Sequence, residues 1–413
     1  MSYLQILHLA DVHLDTPFYG REESLRRKLR DACRGAFRAA VDLAIERHVH
    51  AFLIAGDLFD NDLLSFTTER FLLTELTRLK EAGIPVFYAT GNHDPGRANY
   101  RAQQIEWPEN VHLFTSTQPE TVAITNRDGE RVGWLTAAGH TSRNEAINIA
   151  ARYESARKDL PHVAMLHTQI VSARGAEHHE RYAPATREDL AVRGFDYWAL
   201  GHVHVQQHVF EDLPIWYSGN LQGRNPKETG PKGILSAQVH KDGLVEPEFI
   251  PLAPVVWDCL NVPCPPQVLT LDSLSDELAR WIQEHLQLDD GREHLLRVDL
   301  TGESAMAREL AEPDNLAELG DIVQEKVGLE WMEIRPRSLT RPIEVKKYRG
   351  SPTVLGEVLE LLGRMETDDE LLKQIGSQEL ANKDPENRIS YLRSLLAGLE
   401  NEAVSLLVPE KNK

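Results

Sequence analysis

Short apolar runs alternate with amphipathic stretches through the first quarter of the chain. Leu4 to Ala10 reads as a strand, followed by a helix over about Glu22 to Arg47. Leu25, Leu29, Cys33, Ala36, Ala40 and Leu43 recur there at helical spacing. Ala51-Phe52-Leu53-Ile54-Ala55 is a second strand and Thr67 to Glu81 a second helix, stopped near Gly83. Val86-Phe87-Tyr88-Ala89 is a third strand. This order predicts a parallel sheet covered by helices.

The middle of the chain reads differently. Val122–Thr125 and Arg131–Leu135 flank an Asp128-Gly129 hairpin signal. A helix near Asn144–Lys158 is expected before a strand at His162–Leu166, which ends at His167. Tyr197–Leu200 is another strand, and hairpins follow around Glu211–Pro214 and Lys241–Gly243. An antiparallel second half joined to an α/β first half predicts two sheets face to face, with helices outside. Prolines between 251 and 266 mark a boundary. Beyond it, a stripe of Leu274, Leu278, Trp281, Ile282 and Leu286, a strand at His294–Leu300, a helix near Asn315–Val327 and a strand near Trp331–Arg335 make a small α+β unit. A basic, proline-punctuated stretch reads as a linker. Leucine-rich acidic helices close the sequence and could form a bundle or dock on another protein. The expected division is 1–255, 256–335, 336–352 and 353–413.

Composition narrows the function. The chain has 413 residues, 41% of them hydrophobic, enough for a substantial core, and a net charge of −19. That charge argues against binding nucleic acid by charge alone. Residues 1–250 hold 33 acidic and 27 basic residues, whereas 251–413 hold 31 and 18. Fifteen of the 17 histidines lie in the first 250 residues, so the two parts have different tasks. Cys33, Cys259 and Cys264 are too scattered for a disulfide framework or a cysteine zinc site. With no long apolar run and no export signal, a cytoplasmic location away from membranes is expected.

The chemistry-bearing side chains recur at one kind of place. Asp11 and His13, Asp57, Asn92 and His93, His167, and His202 and His204 each follow an apolar strand. Loops at strand ends converge on one sheet edge, where ligands gather. Carboxylate, imidazole and amide oxygen without thiolate suit Mn²⁺, Fe²⁺ or Zn²⁺. Asp57 stands alone between paired donors and is the candidate to bridge two ions. Taken singly, His8, His112 and His140 read as core or surface histidines, and His178-His179 as a solvated loop. Arg97, Arg101, Arg143, Arg187, Arg224 and Lys227 near the same edge read either as phosphate contacts or as ordinary surface charge.

Asp11-Val12-His13, Gly56-Asp57-Leu58-Phe59-Asp60, Gly91-Asn92-His93-Asp94, His167 and Gly201-His202-Val203-His204 resemble, in order, the motif set of the calcineurin-like metallophosphoesterases. Within that superfamily the chain most resembles the SbcD-like DNA repair nucleases, particularly the YhaO type. Tyr217–Arg224 and Lys232-Gly233 resemble the segment that follows in them. The resemblance implies a two-sheet αββα metallophosphoesterase sandwich, a small α+β capping domain and a helical, partner-binding C-terminal region. It implies two divalent ions, Mn²⁺ foremost. Asp11, His13, Asp57 and His204 would hold one, and Asp57, Asn92, His167 and His202 the other. His93 would contact the scissile phosphate as general acid or transition-state stabiliser, with Asp94 orienting its ring. Asp60 departs from the histidine that some relatives carry there, which bears on the balance of exonuclease and endonuclease activity. The implied function is a metal-dependent DNA nuclease acting in double-strand break repair with an SbcC-like coiled-coil ATPase, and homodimerisation is implied as well. The alternatives are a small-molecule phosphodiesterase or phosphatase, and a non-catalytic scaffold for the ATPase.

Overall fold

A computed structural model describes residues 3–60, 64–97, 104–157, 159–176, 180–241, 243–286, 291–341, 345–375, 385–396 and 398–407. The chain divides into two compact units, Met1–Asp258 with Asp289–His294, and Cys259–Leu288 with Leu295–Lys413.

The first unit opens as the periodicity predicts, with β1 (Tyr3–Leu9), α1 (Glu23–Glu46), β2 (Ala51–Ala55), α2 (Phe66–Glu81), β3 (Val86–Ala89) and β4 (Val111–Phe114). Strands β1 to β4 run parallel. β2 is buried along its whole length, the expected state of a parallel strand covered on both faces. α1 turns Leu29, Cys33, Phe37 and Ala40 inward, and the Phe37 ring meets Phe52 of β2 edge-on, centroids 6.1 Å apart. Ser65 caps α2 by accepting the Thr68 N–H.

The second sheet contains β5 (Glu120–Thr125), β6 (Arg131–Ala138), β7 (His162–His167), β8 (Tyr197–Gly201), β9 (Gln207–Phe210) and β10 (Leu213–Tyr217). Its order is β5-β6-β7-β8-β10-β9. The hairpins around Asp128-Gly129 and Glu211-Asp212 are present, but β6, β7, β8 and β10 run parallel. The expectation of an antiparallel second half therefore holds only for the sheet's two edges. Buried short segments and loops cross over between the parallel strands. After it, β11 (Gly233–His240) and β12 (Val245–Pro251) return to the first sheet, giving the order β12-β11-β1-β2-β3-β4. The turn between them includes Asp242, which lies outside the described residues.

Leu4, Ile6, Leu53, Ala55 and Phe87 of one sheet share a core with Leu135, Val163, Met165 and Tyr197 of the other. The sheets thus pack face to face. Alternate residues Ala164, Leu166, Trp198 and Leu200 face outward, beneath Tyr153, Phe195 and Leu190 of α3 (Arg187–Ala191). The helix expected over Asn144–Lys158 is a single 3-10 turn, Ala150–Arg152, and Lys158 lies outside the described residues. Asn148 is the physical reason. Its amide accepts the Ala151 N–H, as an N-cap does, and donates to Asp189, so the one helical turn begins only after it.

The second unit carries the sheet β13-β14-β15, formed by β13 (Val255–Pro263), β14 (Glu293–Glu303) and β15 (Trp331–Thr340). α4 (Leu271–His285) and α5 (Pro313–Val327) share a core with it, including Leu274, Leu278, Ile282, Leu296, Val298 and Val323. β15 runs five residues past the expected end at Arg335. It is an edge strand, where Pro336 breaks no ladder. Arg335 and Arg337 both bond the buried carboxylate of Asp299, so two of the cations read as linker are fixed in the sheet. Helices α6 (Val354–Thr367), α7 (Asp369–Ile375), α8 (Pro385–Leu396) and α9 (Leu399–Leu407) follow. Met365, Leu372, Leu392 and Leu396 form one small core, and Leu355, Leu359 and Val404 another. The architecture is a mixed α/β sandwich of two parallel-rich sheets with a helical C-terminal region. No helix among the described residues is long and apolar enough to cross a membrane.

Candidate metal centre

Five strand ends meet at one place. β1 leads to Asp11 and His13, β2 to Asp57, β3 to Asn92 and His93, β7 ends at His167, and β8 leads to His202 and His204. The first two loops are laced together, with Asp11 N–H donating to Gly56 O, His13 N–H to Asp57 O and Leu14 N–H to Leu58 O. Asp11, His13 and Asp57 have φ near +50° and His202 has φ 104°. Left-handed backbone at four non-glycine residues costs on the order of 1–3 kcal/mol each and persists only where packing over-determines it. Glycines beside them allow close approach. A Cβ on Gly91 would lie 2.2 Å from Asp57 Oδ1, and one on Gly201 would lie 1.9 Å from Ala55 O. Gly91 is therefore needed for proximity.

The donor atoms fall into two overlapping sets. His13 Nε2 lies 3.3 Å from His204 Nε2 and 3.8 Å from Asp57 Oδ2, and His204 Nε2 lies 3.8 Å from Asp11. His167 Nε2 lies 3.4 Å from the same Asp57 Oδ2 and 2.9 Å from Asn92 Oδ1, which is 3.1 Å from His202 Nδ1. Donors about 2.0–2.2 Å from one ion sit roughly 3–3.5 Å apart, so both sets have the right scale. Asp57 Oδ2 belongs to both. Its other oxygen accepts the His93 N–H at 2.8 Å, which turns Oδ2 inward.

The surrounding bonds fit metal-ligating histidines. His13 Nδ1 donates to Asp60 at 3.0 Å, His204 Nδ1 to Glu228 at 2.9 Å, His167 Nδ1 to Ala55 O at 2.9 Å and His202 Nε2 to Glu180 O at 2.9 Å. Each acceptor holds the proton on the outer nitrogen and aims the inner one at the centre. Burial pushes His13 down to about 4 and His204 down to about 3, so both rings are neutral at pH 7. His167 differs. Burial opposes its charge, but Asp57, Asp11 and the Ala55 carbonyl together outweigh burial and push it up to about 9. Asp11, fully buried, is pushed up to about 7 by burial, and a cation beside it would reverse that. Among the described residues, Asp11 with His13 and His204, Asp11 with Asp57 and His167, and His13 with Asp57 and the partly exposed His93 form clusters that could hold an ion.

His93 and Asp94 part company. The His93 ring is about one-third exposed at the edge of an otherwise buried cluster. Its Nδ1 faces Asp60, 3.0 Å from Oδ1 and 3.1 Å from the carbonyl oxygen. Asp94 instead accepts the N–H groups of Asp57, Leu58, Phe59 and Gly91 and the Tyr88 hydroxyl, the last at 2.5 Å. Burial and Asp94 hold the Tyr88 phenol well above its ordinary range, so it remains a donor. The expectation that Asp94 orients His93 is thus corrected. Asp60 holds that ring, and Asp94 holds the loop carrying Asp57 because four backbone donors converge on it. Asp94→Ala is expected to destabilise the fold by about 3 kcal/mol, since those donors lose their acceptor; urea unfolding checks this.

Asp60 and Glu228 were missed as parts of the site. Asp60 bonds His13, His93 and Arg224, and although burial opposes ionisation, the two histidines and Arg224 hold its carboxyl far below the usual range. Glu228 also accepts from Asn220 Nδ2 and the Arg224 N–H. The resemblance over Tyr217–Arg224 and Lys232-Gly233 flanks Glu228 but does not include it. Glu228→Gln is expected to weaken metal retention roughly 10- to 100-fold while the fold survives, measured by competition with a chelator. Of the other basic residues singled out, Arg224 joins the centre and Arg187 pairs with Asp212. Arg97 and Arg143 are exposed. Arg101 and His178-His179 lie outside the described residues. His140 is a core residue whose Nε2 bonds the His167 carbonyl at 2.7 Å.

Comparison with known proteins agrees with this geometry. The family model for calcineurin-like phosphoesterases matches residues 4–206. The uncharacterised metallophosphoesterase YhaO of Bacillus subtilis is 38% identical over 262 residues, 62% of this chain and 62% of that protein. The DNA double-strand break repair protein Mre11 of Sulfurisphaera tokodaii is 28% identical over 219 residues, 51% of each chain. Mre11 of Methanopyrus kandleri is 27% identical over 265 residues, 60% of this chain and 56% of that one. The chain thus spans between about half and three-fifths of these relatives' lengths. On the motif order, the two overlapping donor sets and the match over 4–206, this segment is a calcineurin-like metallophosphoesterase domain.

Proposed function

We propose that the chain is a metal-dependent DNA nuclease that hydrolyses phosphodiester bonds, with two Mn²⁺ ions as its cofactor. The observation that carries phosphoester hydrolysis is the one carboxylate oxygen, Asp57 Oδ2, common to both donor sets, with the half-open His93 ring beside it. When bound, two divalent ions supply an activated water at neutral pH and neutralise charge growing on the phosphoryl oxygens. Asp11, His13, Asp57 and His204 would hold one, and Asp57, Asn92, His167 and His202 the other.

The chain's own groups do the rest. The His93 N–H fixes Asp57, and Asp60 fixes the His93 ring with its proton on Nδ1. Burial opposes charge on His93, but Asp57 and Asp60 outweigh it and push the ring up to about 9. His93 is therefore suited to hold a second proton at Nε2 for the departing sugar oxygen. DNA as substrate, double-strand break repair and an SbcC-like coiled-coil ATPase partner rest on the likeness to proteins named for that repair. The exposed side chains of Val354, Leu361, Tyr391 and Leu395 in the helical C-terminal region would serve such a partner. The proposed assignment is a catalytic domain over 1–255, a capping domain over 256–335 that β15 carries on to Thr340, a basic linker over the remainder of 336–352 and a partner-binding region over 353–413, in a cytoplasmic protein.

Hydrolysis of single- and double-stranded DNA with added Mn²⁺ tests the reading. Absence of cleavage, alone and with an ATPase partner, would overturn it. The net charge of −19 favours a second reading, a small phosphodiester as substrate. Fast turnover of such a diester with no DNA binding at low salt would decide for that one.

A further inference from the structure

The metal centre opens into a cleft of about 690 Å³, lined at one end by Asp57, Asn92 and His93. Arg174 and Lys227 line the same cleft, from two different loops. Both loops are fixed beside the His202–His204 segment. The Gln207 amide clamps the Arg174 backbone from both sides, accepting its N–H at 3.0 Å and donating to its carbonyl at 2.8 Å. A Cβ on the adjacent Gly175 would lie 2.8 Å from Val205, so this loop presses against the histidine segment. Lys227 precedes Glu228, whose carboxylate is bonded to His204, Asn220 and Arg224.

Their side chains are exposed, yet neither cation has a carboxylate partner among the described residues. Surface arginines such as Arg34, Arg47, Arg78 and Arg187 are each paired with a carboxylate. Around the two cations the cleft offers the uncharged polar side chains of Gln206, Ser218 and Asn225. Two cations without a carboxylate partner among the described residues, Arg174 reaching the Gln206 carbonyl at 3.5 Å, stand on immobilised backbone beside a phosphoryl-handling centre and attract a second negative group on the same ligand.

We propose that Arg174 and Lys227 form an anion subsite that takes the phosphate next along a nucleic acid strand from the one at the metals. This rests on the nuclease reading and gives it a specificity element, because a lone phosphodiester has no second phosphate to place there. The test uses the full chain loaded with Mn²⁺, an oligothymidylate and bis(p-nitrophenyl) phosphate, comparing the wild type with Arg174→Gln/Lys227→Gln. The preference for oligothymidylate over the diester, as a ratio of kcat/KM values, is expected to fall roughly tenfold or more, carried by KM. In a His93→Ala background, which allows binding to be followed without cleavage, the salt slope of oligothymidylate binding is expected to shrink by about 0.7, the value for one phosphate contact on a single strand. An unchanged slope and ratio, in a variant that keeps its two metals, would overturn the subsite and leave the nuclease reading standing. A wild type that neither binds oligothymidylate nor prefers it to the diester would overturn both.

Discussion

Asp57→Ala is expected to remove both metal ions at once. Its Oδ2 lies 3.8 Å from His13 Nε2 and 3.4 Å from His167 Nε2, one donor of each set. Losing it leaves each ion short of a ligand and of the negative charge between the two. Metal analysis after gel filtration should show close to no bound ion. Phosphodiester cleavage should fall by a factor on the order of 10⁴ or more. Asp57→Asn separates charge from shape, because it keeps the oxygen facing the His93 N–H but loses the bridging charge. It should also lose metal. A variant that retained one tightly held ion would show that the two sets do not depend on a common carboxylate.

His93→Ala is expected to do the reverse, keeping both ions and losing cleavage. The ring lies at the rim of the cleft, one-third exposed, and its N–H to Asp57 is a backbone group that alanine preserves. The loss should be roughly 10²- to 10⁴-fold in kcat with little change in KM, the scale of a missing proton donor. Asp60 acts on the reaction through this ring. Asp60→Asn alone should therefore slow cleavage, whereas adding it to His93→Ala should cost little more. A full further loss in the double variant would place the effect of Asp60 on His13 and metal binding instead. Asp60 bonds His13 as well, so metal content has to be measured alongside.

Much of this centre was legible in the chain because the signal is local. Each ligand residue follows a short apolar run, and a strand's length and burial are written in consecutive residues. Asp57 was the candidate bridge because it is the lone donor between two pairs, and its Oδ2 lies within 3.8 Å of a histidine nitrogen of each set. Asp94 shows where that reading stops. Its place beside His93 in sequence suggested contact, but the turn directs its carboxylate to the Asp57–Phe59 backbone. Adjacent residues after a strand point to different sides, so adjacency is a poor guide to partnership. The helix expected over Asn144–Lys158 failed for a related reason. The Asn148 side chain starts the one helical turn there and ties it to Asp189, 41 residues away, a partner that adjacent sequence does not reveal.

The sequence by itself determined the chemistry available: five strand ends carrying carboxylate, amide and imidazole groups, no thiolate, and two large segments of unequal acidity. These follow from residue identity and from the periods of strands and helices. Only the tertiary structure decided how the groups are used. It placed His13 and His204, 191 residues apart, with their inner nitrogens 3.3 Å from each other. It gave His93 to Asp60 rather than Asp94, joined Arg224 to Asp60 across 164 residues, and put Glu228 behind His204. A hydrogen bond is settled by a few tenths of an ångström and by direction. For partners so far apart along the chain, both are fixed only when the two sheets pack and the loops at their edge close on one another.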